Sequence, residues 1–369
     1  MLRNIELKRF KCFAAQRIGL APTTVLTGLN GMGKSSVIQA LLLLRQSAQS
    51  GALFATHGGL MLNGDLVRLG TGGEVLYGGA EEDTICIGIE SPLGTSAWEF
   101  QAPTNADLLP RISGPESTPG DALFGSNCHY LGAERVGPRV VHQLSSSHID
   151  RRDLGADGSF TVAFLDAYGD RQVPVPLHHA SSPSGTLLSQ VSTWMGEISP
   201  GVRLETQALR EISLARLSFS FVTGGVVSRP FRPTSVGFGL SYTLPVVVAL
   251  LAATPGSLIM VENPEAHLHP RGQMAMGALI SRAGAAGVQV IVETHSDHVL
   301  NGVRIAVKEK RTAPENVAFH YFERTTETRG GEERVVHVVN SPRIDADGRL
   351  NVWPEGFFDQ YDVALEKLL

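Results

Sequence analysis

Residues 28–35 read GLNGMGKS, a complete G-x-x-x-x-G-K-[ST] pattern. Thr24-Val25-Leu26-Thr27 before it is a short β-favouring run. Ser36 to Gln49 after it (SVIQALLLLRQSAQ) is rich in Leu, Ala and Gln and free of Gly and Pro. The order is strand, loop, helix, which is the setting a phosphate-binding loop needs. Gly28, Gly31 and Gly33 let the backbone curl so that successive N–H groups, backed by the helix N-terminus, face an anion. Lys34 is then expected at the β- and γ-phosphates and Ser35 on Mg²⁺. Asn30, Gly31, Gly33, Lys34, Ser35 and Ser36 form the candidate nucleotide-binding set.

A second half of such a site is legible far downstream. Ser257 to Val261 (SLIMV) is an apolar run ending on Glu262, and Asn263 to Pro270 reads NPEAHLHP. A buried strand that ends in a carboxylate is how phosphate-loop NTPases hold Mg²⁺, directly or through water, so Glu262 joins Ser35 as an expected metal ligand. Val288 to Val292 (VQVIV) is another buried-strand run and leads into Glu293-Thr294-His295-Ser296. His295 thus falls at the C-terminal edge of a strand, where α/β sheets place chemistry. Between the halves, Thr234 to Ser241 reads TSVGFGLS and opens an apolar stretch from Leu244 to Ala253. Ser235, Gly237, Gly239 and Ser241 make a second candidate anion-binding helix start.

In this order the segments resemble the ABC-type ATPases of the SMC, RecF and OLD lineage. Ile5 to Phe13 (IELKRFKCF) is similar to that lineage's opening strand and F-K-x-F motif. ENPEAHLHP resembles its acidic strand and following loop, and ETHSDHVLN its switch-histidine segment. The resemblance implies an α/β fold: an ABC-type P-loop NTPase core with a mixed sheet, an antiparallel β segment and a helical and loop insertion. It also implies ATP and Mg²⁺ as ligands. The signature loop at 234–241 would complete a partner subunit's ATP site, so two copies would sandwich two ATP molecules head to tail.

One departure bears on chemistry. The lineage usually carries two adjacent acids at the end of the acidic strand, whereas here the pair is Glu262-Asn263, and an amide cannot take a proton. Glu265 is the nearest remaining carboxylate and the candidate to polarise the attacking water, its alternative being a charge at the start of the helix expected near Pro270. His295 is the candidate γ-phosphate sensor. Hydrolysis is expected to be slow if Glu265 serves only the helix. His267 and His269 have the H-x-H spacing of a metal pair but no third ligand at useful spacing. Asp345-Ala346-Asp347-Gly348 resembles the D-x-D of a nuclease, yet Asp347-Gly348 is a turn dipeptide and its flanks favour a turn.

Composition fits a soluble enzyme: 369 residues, 43% hydrophobic, enough for one large core and a smaller module. No leader peptide is expected from the opening residues, and no apolar run approaches the ~20 residues that span a bilayer. Cys12, Cys86 and Cys128 show neither a disulfide framework nor zinc spacing, which fits a reducing cytoplasm. A net charge of −5 excludes a global pull toward nucleic acid. DNA contact would need local patches such as Arg135/Arg139, Arg151/Arg152 or Lys308 to Arg311.

The expected organisation is 1–50 as the N-terminal part of the core, 51–130 as an antiparallel β segment, 131–231 as an insertion or lid, 232–325 as the C-terminal part of the core, and 326–369 as a closing segment. Asp65 to Gln101 reads as short strands between Gly-Gly turns, and Thr104 to Asn127 as a surface loop. Ser145 to Ser184 reads as a mobile lid or a partner-binding insertion, Thr186 to Ile198 as a helix burying Leu187, Leu188, Val191, Trp194, Met195 and Ile198, and Val202 to Phe231 as strands broken at Gly224-Gly225. Tyr130 to Arg139 (YLGAERVGPR) resembles a recurring strand and turn of RecF-like ATPases, with Arg135 reading phosphate or DNA, or pairing with Glu134. Trp353 to Gln360 (WPEGFFDQ) resembles the closing motif of an uncharacterised family of stand-alone ATPases. No heptad array appears, so the coiled-coil arm of SMC proteins is absent. The resemblance points to an ATP-dependent switch in anti-phage defence or DNA maintenance, partnered by nucleic acid or a separate effector. An ATP-stabilised scaffold with little turnover is the alternative.

Overall fold

The computed structural model describes every residue except 330, 331, 355, 356, 358–364 and 369. The chain divides into two units. The first holds Met1–Cys128, Val317–Arg343 and Leu350–Leu369, and the second holds His129–Asn316 and Ile344–Arg349.

The first unit opens with a hairpin of β1 (Asn4–Phe10) and β2 (Phe13–Gly19), closed by the pair Phe10 and Phe13. Its two-residue turn is Lys11-Cys12, with Lys11 in the left-handed region at φ +51°. β3 (Thr23–Gly28), α1 (Lys34–Gln49), β4 (Gly59–Met61), α2 (Gly72–Val75), β5 (Thr84–Ser91), β6 (Gly94–Gln101) and β7 (Leu108–Ser113) follow. The antiparallel sheet runs β2-β1-β5-β6-β7-β4. Facing pairs Ile85/Phe100 and Ile87/Trp98 on β5 and β6 lie wholly inside, and such cross-strand aromatic–aliphatic pairs supply much of a sheet's stability. Helix α1 is buried on nearly every side, Arg45 included. Arg45 is tolerated there because its guanidinium donates to the carbonyls of Leu123, Gly125 and Cys128 at 2.5–2.9 Å.

Two expectations need correction here. Residues 65–83 are irregular apart from α2, where Thr71 and Glu74 form a capping box, a local solution that competes with strand pairing. Within 104–127, β7 joins the sheet and buries Leu109 completely, so this stretch is not a plain surface loop.

In the second unit β8 (Cys128–Leu131) begins at the boundary, followed by β9 (His142–Gln143), α3 (Ser146–Asp150), α4 (Thr161–Tyr168), α5 (Leu187–Ile198), β10 (Val202–Leu209), β11 (Leu214–Thr223) and β12 (Val226–Val227). The span 145–184 is less of a lid than its polarity suggests, since α4 buries Val162, Ala163, Phe164 and Leu165. On α5 the expected face is buried apart from Leu188. Gly224 and Gly225, at φ +58° and +83°, form the tight turn between β11 and β12. Then come α6 (Phe238–Ala252), β13 (Leu258–Glu262), α7 (Pro270–Ala285), β14 (Gln289–Glu293) and α8 (Asp297–Lys308). Strands β13 and β14 are parallel, with α7 as the crossover, and the register ends on the pair Glu262 and Glu293. Helices α7 and α8 approach so closely that a Cβ on Gly277 would meet the Val299 carbonyl at 2.2 Å.

The chain then returns to the first unit. β15 (Val317–Arg329) pairs parallel with β3, from Val317/Thr23 to Phe322/Gly28, and antiparallel with β16 (Glu332–Asn340). Parallel and antiparallel pairing together make this a mixed α/β architecture. Asp345 Oδ1 accepts from the Asp347 and Arg349 amides, so the D-x-D segment is a turn. Of the closing motif, Glu355, Gly356, Phe358, Asp359 and Gln360 lie outside the described residues, while Phe357 packs edge-on against Tyr321 and Trp353. Among the described residues no helix is long and apolar enough to cross a membrane.

Candidate functional site

In the first unit, β3 ends at Gly28 and the loop turns through left-handed glycines, Gly28 at φ +134°, Gly31 at +75° and Gly33 at +104°. Two of these glycines are also required sterically. A Cβ on Gly28 would sit 2.2 Å from the Phe322 carbonyl oxygen, and one on Gly33 would sit 2.6 Å from both Cys12 Sγ and Phe13 Cζ. That explains the F-K-x-F motif: its hairpin turn lies against the phosphate loop, and Lys11 Nζ donates to Gln39 on α1 at 2.7 Å. Lys34, 3% exposed, folds back so that Nζ donates to the Gly28 and Leu29 carbonyls at 2.9 and 2.7 Å. Asn30 and Gly31 are exposed and Ser35 half-buried. The buried Ser36 hydroxyl bonds the Cys12 thiol, whose acidity is suppressed mainly by burial.

The loop fits a nucleotide's phosphates. Space beside Gly31 is open, and α1 starts at Gly33 with no side-chain cap and no carboxylate in its first turn. Sequence reading missed one neighbour. His337 on β16 hydrogen-bonds the backbone of Gly31, opposite Arg324 on β15, and burial above all holds its imidazole below the usual histidine range.

In the second unit, Glu262 stands at the end of β13 with both carboxylate oxygens engaged. The Tyr130 hydroxyl donates to Oε1 at 3.0 Å and the Ala133 amide to Oε2 at 3.3 Å. Burial pushes the Glu262 carboxyl above its usual range, against the lowering effect of Tyr130, Ala133 and Arg135. Burial, and next the Glu262 charge, push the Tyr130 phenol up, so it remains a neutral donor. Both donors are neutral, so the carboxylate keeps its charge for a cation. A carboxylate held this way suits Mg²⁺, which binds through one or two protein oxygens and keeps much of its water. Arg135, 5% exposed, offers no surface to DNA, and its guanidinium is taken up by backbone carbonyls rather than by Glu134. Its guanidinium donates to the backbone carbonyls of Gly132, Tyr242, Glu262 and Asn263 at 2.6–3.1 Å.

Asn263 has φ +45°, a conformation Asn tolerates better than Glu does, and its side-chain oxygen is buried without a hydrogen-bond partner. That is a physical reason for the missing second acid. Glu265 is not a charge at a helix start, since α7 begins at Pro270 and its cap is His269, whose Nδ1 accepts from Arg271 N. Instead Glu265 Oε1 accepts from the His295 amide at 2.8 Å, while Oε2 is buried with no hydrogen-bond partner. His295 itself is exposed, one residue before Ser296, which caps α8 through Val299 N. His267 stacks edge-on against Phe238 and Tyr242, so it is a packing residue here.

The signature residues divide. Ser235 and Gly237 are exposed just before α6. A Cβ on Gly239 would sit 2.5 Å from the His267 carbonyl, and Ser241 is 8% exposed with its hydroxyl inside. Of the basic patches, Arg151, Arg152, Lys308, Lys310 and Arg311 are exposed, Arg311 pairing with Glu309 at 2.8 Å.

Residues 198–301 match the family described as an AAA domain, putative AbiEii toxin, type IV TA system, and 313–368 match the protein of unknown function family DUF3696. In structure the chain is similar to an Smc head bound to the C-terminal winged-helix domain of ScpA, at 14% identity and TM-score 0.52, over 91% of this chain and 98% of that one. It is equally similar to the Smc head domain with an extended coiled coil bound to the C-terminal domain of ScpA from Pyrococcus furiosus, at 13% identity and TM-score 0.52, over 100% and 99%. No curated protein matches the chain. By structure the chain has the α/β fold of Smc head domains, and residues 198–301 match an AAA domain family.

Proposed function

We propose that the chain binds and hydrolyses ATP as an ATP-dependent dimeric switch. ATP is held by Asn30, Gly31, Gly33, Lys34, Ser35 and Ser36, and Mg²⁺ by Ser35 and Glu262. Glu265 polarises the attacking water and His295 senses the γ-phosphate. Ser235 and Gly237 face the partner's nucleotide, with Gly239 and Ser241 shaping the turn behind them. The observation that carries the reading is the phosphate loop: left-handed glycines, an open space at Gly31, and a lysine ammonium held inside the curl at the uncapped start of α1. Free Cys12, Cys86 and Cys128 suit the cytoplasm. The AbiEii-like match favours a role in anti-phage defence over general DNA maintenance, with a separate effector as the output. Exposed Arg151, Arg152 and Lys310 leave room for nucleic acid as a partner.

The test is ATP turnover with and without Mg²⁺, duplex DNA and single-stranded DNA, alongside light scattering. Turnover that needs Mg²⁺, rises with enzyme concentration faster than linearly, and accompanies ATP-dependent dimers supports the switch. A strictly monomeric ATPase rules it out. The second reading, an ATP-stabilised scaffold, is favoured by Asn263 in place of the second acid. ATP-dependent dimers with no turnover would select it.

A further inference from the structure

The segment from Tyr130 to Arg135 bridges two elements of the second unit, α6 and the end of β13. Arg135 Nε donates to the Tyr242 carbonyl on α6 at 3.1 Å, and the same guanidinium donates to the Glu262 and Asn263 carbonyls at 2.6 Å. Its carbon lies 4.4 Å from the Tyr242 ring centroid. In return the Tyr242 hydroxyl donates to the Ala133 carbonyl and accepts from the Arg135 amide. Ala133 then supplies the amide that holds Glu262 Oε2. Apart from the guanidinium over the Tyr242 ring, every link is a hydrogen bond in a buried or part-buried setting, where removing one partner strands the other.

The first turn of α6 is free to respond separately from the rest of the helix. Pro245 lies inside α6 and has no N–H to give the Ser241 carbonyl four residues back, so the ladder is broken just after the signature turn. That turn is packed on the loop after the acidic strand, through Phe238 and Tyr242 on the His267 ring and Gly239 on the His267 carbonyl. The same loop carries Glu265, which holds the His295 amide.

We infer that Arg135 is a positioning residue that couples the signature turn to the acidic strand of the same subunit, so that engaging the partner's ATP sets the carboxylates acting on the subunit's own ATP. This rests on the ATP-switch reading. Arg135 touches neither nucleotide nor metal in it. Only the planar fork of arginine satisfies carbonyls from three directions at once; a lysine ammonium in its place keeps the charge but loses the geometry.

The experiment compares wild type, Arg135→Lys, Tyr242→Phe and the double variant. Melting temperature and fluorescent-ATP affinity are read first, then kcat, KM and the dependence of turnover on enzyme concentration. Each single variant is expected to bind ATP within about threefold of wild type, to keep KM, and to lose at least about tenfold in kcat. The double variant should be no worse than the weaker single, because both cut one linkage. Wild-type kcat in Tyr242→Phe, or losses that multiply in the double, overturns the coupling. If Arg135→Lys does not fold, Tyr242→Phe decides alone, since it keeps the ring under the guanidinium. A wild-type protein that does not turn over ATP at all would instead defeat the underlying switch reading.

Discussion

The phosphate loop and the end of the acidic strand are built by opposite means. The loop takes its shape from consecutive residues and positive-φ glycines, and its chemistry is mostly backbone. The acidic-strand end takes its shape from Tyr130, Arg135, Tyr242, Glu262, Glu265 and His295, which are scattered over more than a hundred residues and joined by side-chain hydrogen bonds. A loop of the first kind tends to fail as a binding site. A cluster of the second kind tends to fail in chemistry while binding survives.

The sharpest test of that difference is Glu265→Gln. The amide keeps the bond from the His295 N–H but cannot act as base, so single-turnover hydrolysis should fall by about 10²-fold or more with ATP affinity unchanged. Hydrolysis at the wild-type rate would return Glu265 to a purely structural role, as the acceptor that pins the switch segment. Lys34→Ala should do the reverse. Calorimetry is expected to show ATP binding weakened at least about tenfold, some 1.4 kcal/mol, because the ammonium inside the loop is gone.

Asn263→Glu probes the departure from the lineage. Glutamate at φ +45° costs roughly 1 kcal/mol more than asparagine, so urea unfolding should shift by about that much and turnover should not rise. A gain in turnover would mean that the strand end accepts a second acid after all. The smallest effect expected is on stability, from Glu262→Gln. Its folded pKa is raised, so the cost of the buried charge is present above that pKa and disappears as pH falls to the unfolded value. Without nucleotide the variant should melt about 1–3 °C higher than wild type at pH 8 and no higher near pH 4.5, while losing Mg²⁺-dependent turnover. An equal gain at both pH values would remove the charge explanation.

These contrasts also mark what the sequence makes legible. The loop, β13, β14, α6 and α7 are readable because each is a contiguous pattern whose physics is local. Gly28 and Gly33 are readable as glycines, but not the reasons for them, which are Phe322 and Cys12-Phe13. Arg135 looks like a surface cation in the sequence; its burial depends on four carbonyls no local pattern can foretell. Asn263 reads as a lost acid and proves to be a residue suited to its backbone. Residues 65–83 looked like strands because alternation ignores the competing capping box at Thr71 and Glu74.

The pairing of β3 with β15 carries a consequence for how the protein is made. The strand that pairs parallel with β3 leaves the ribosome about 290 residues after it, which is about 15–60 s at ordinary elongation rates. Through that interval the backbone groups Thr23 to Gly28 will offer to β15 have no native partner, and Gly28 lacks the carbonyl it closes on. The shape of the phosphate loop is therefore complete only after Val317 to Phe322 are made, and a nascent chain stalled before Val317 should be held by chaperones and unable to retain nucleotide.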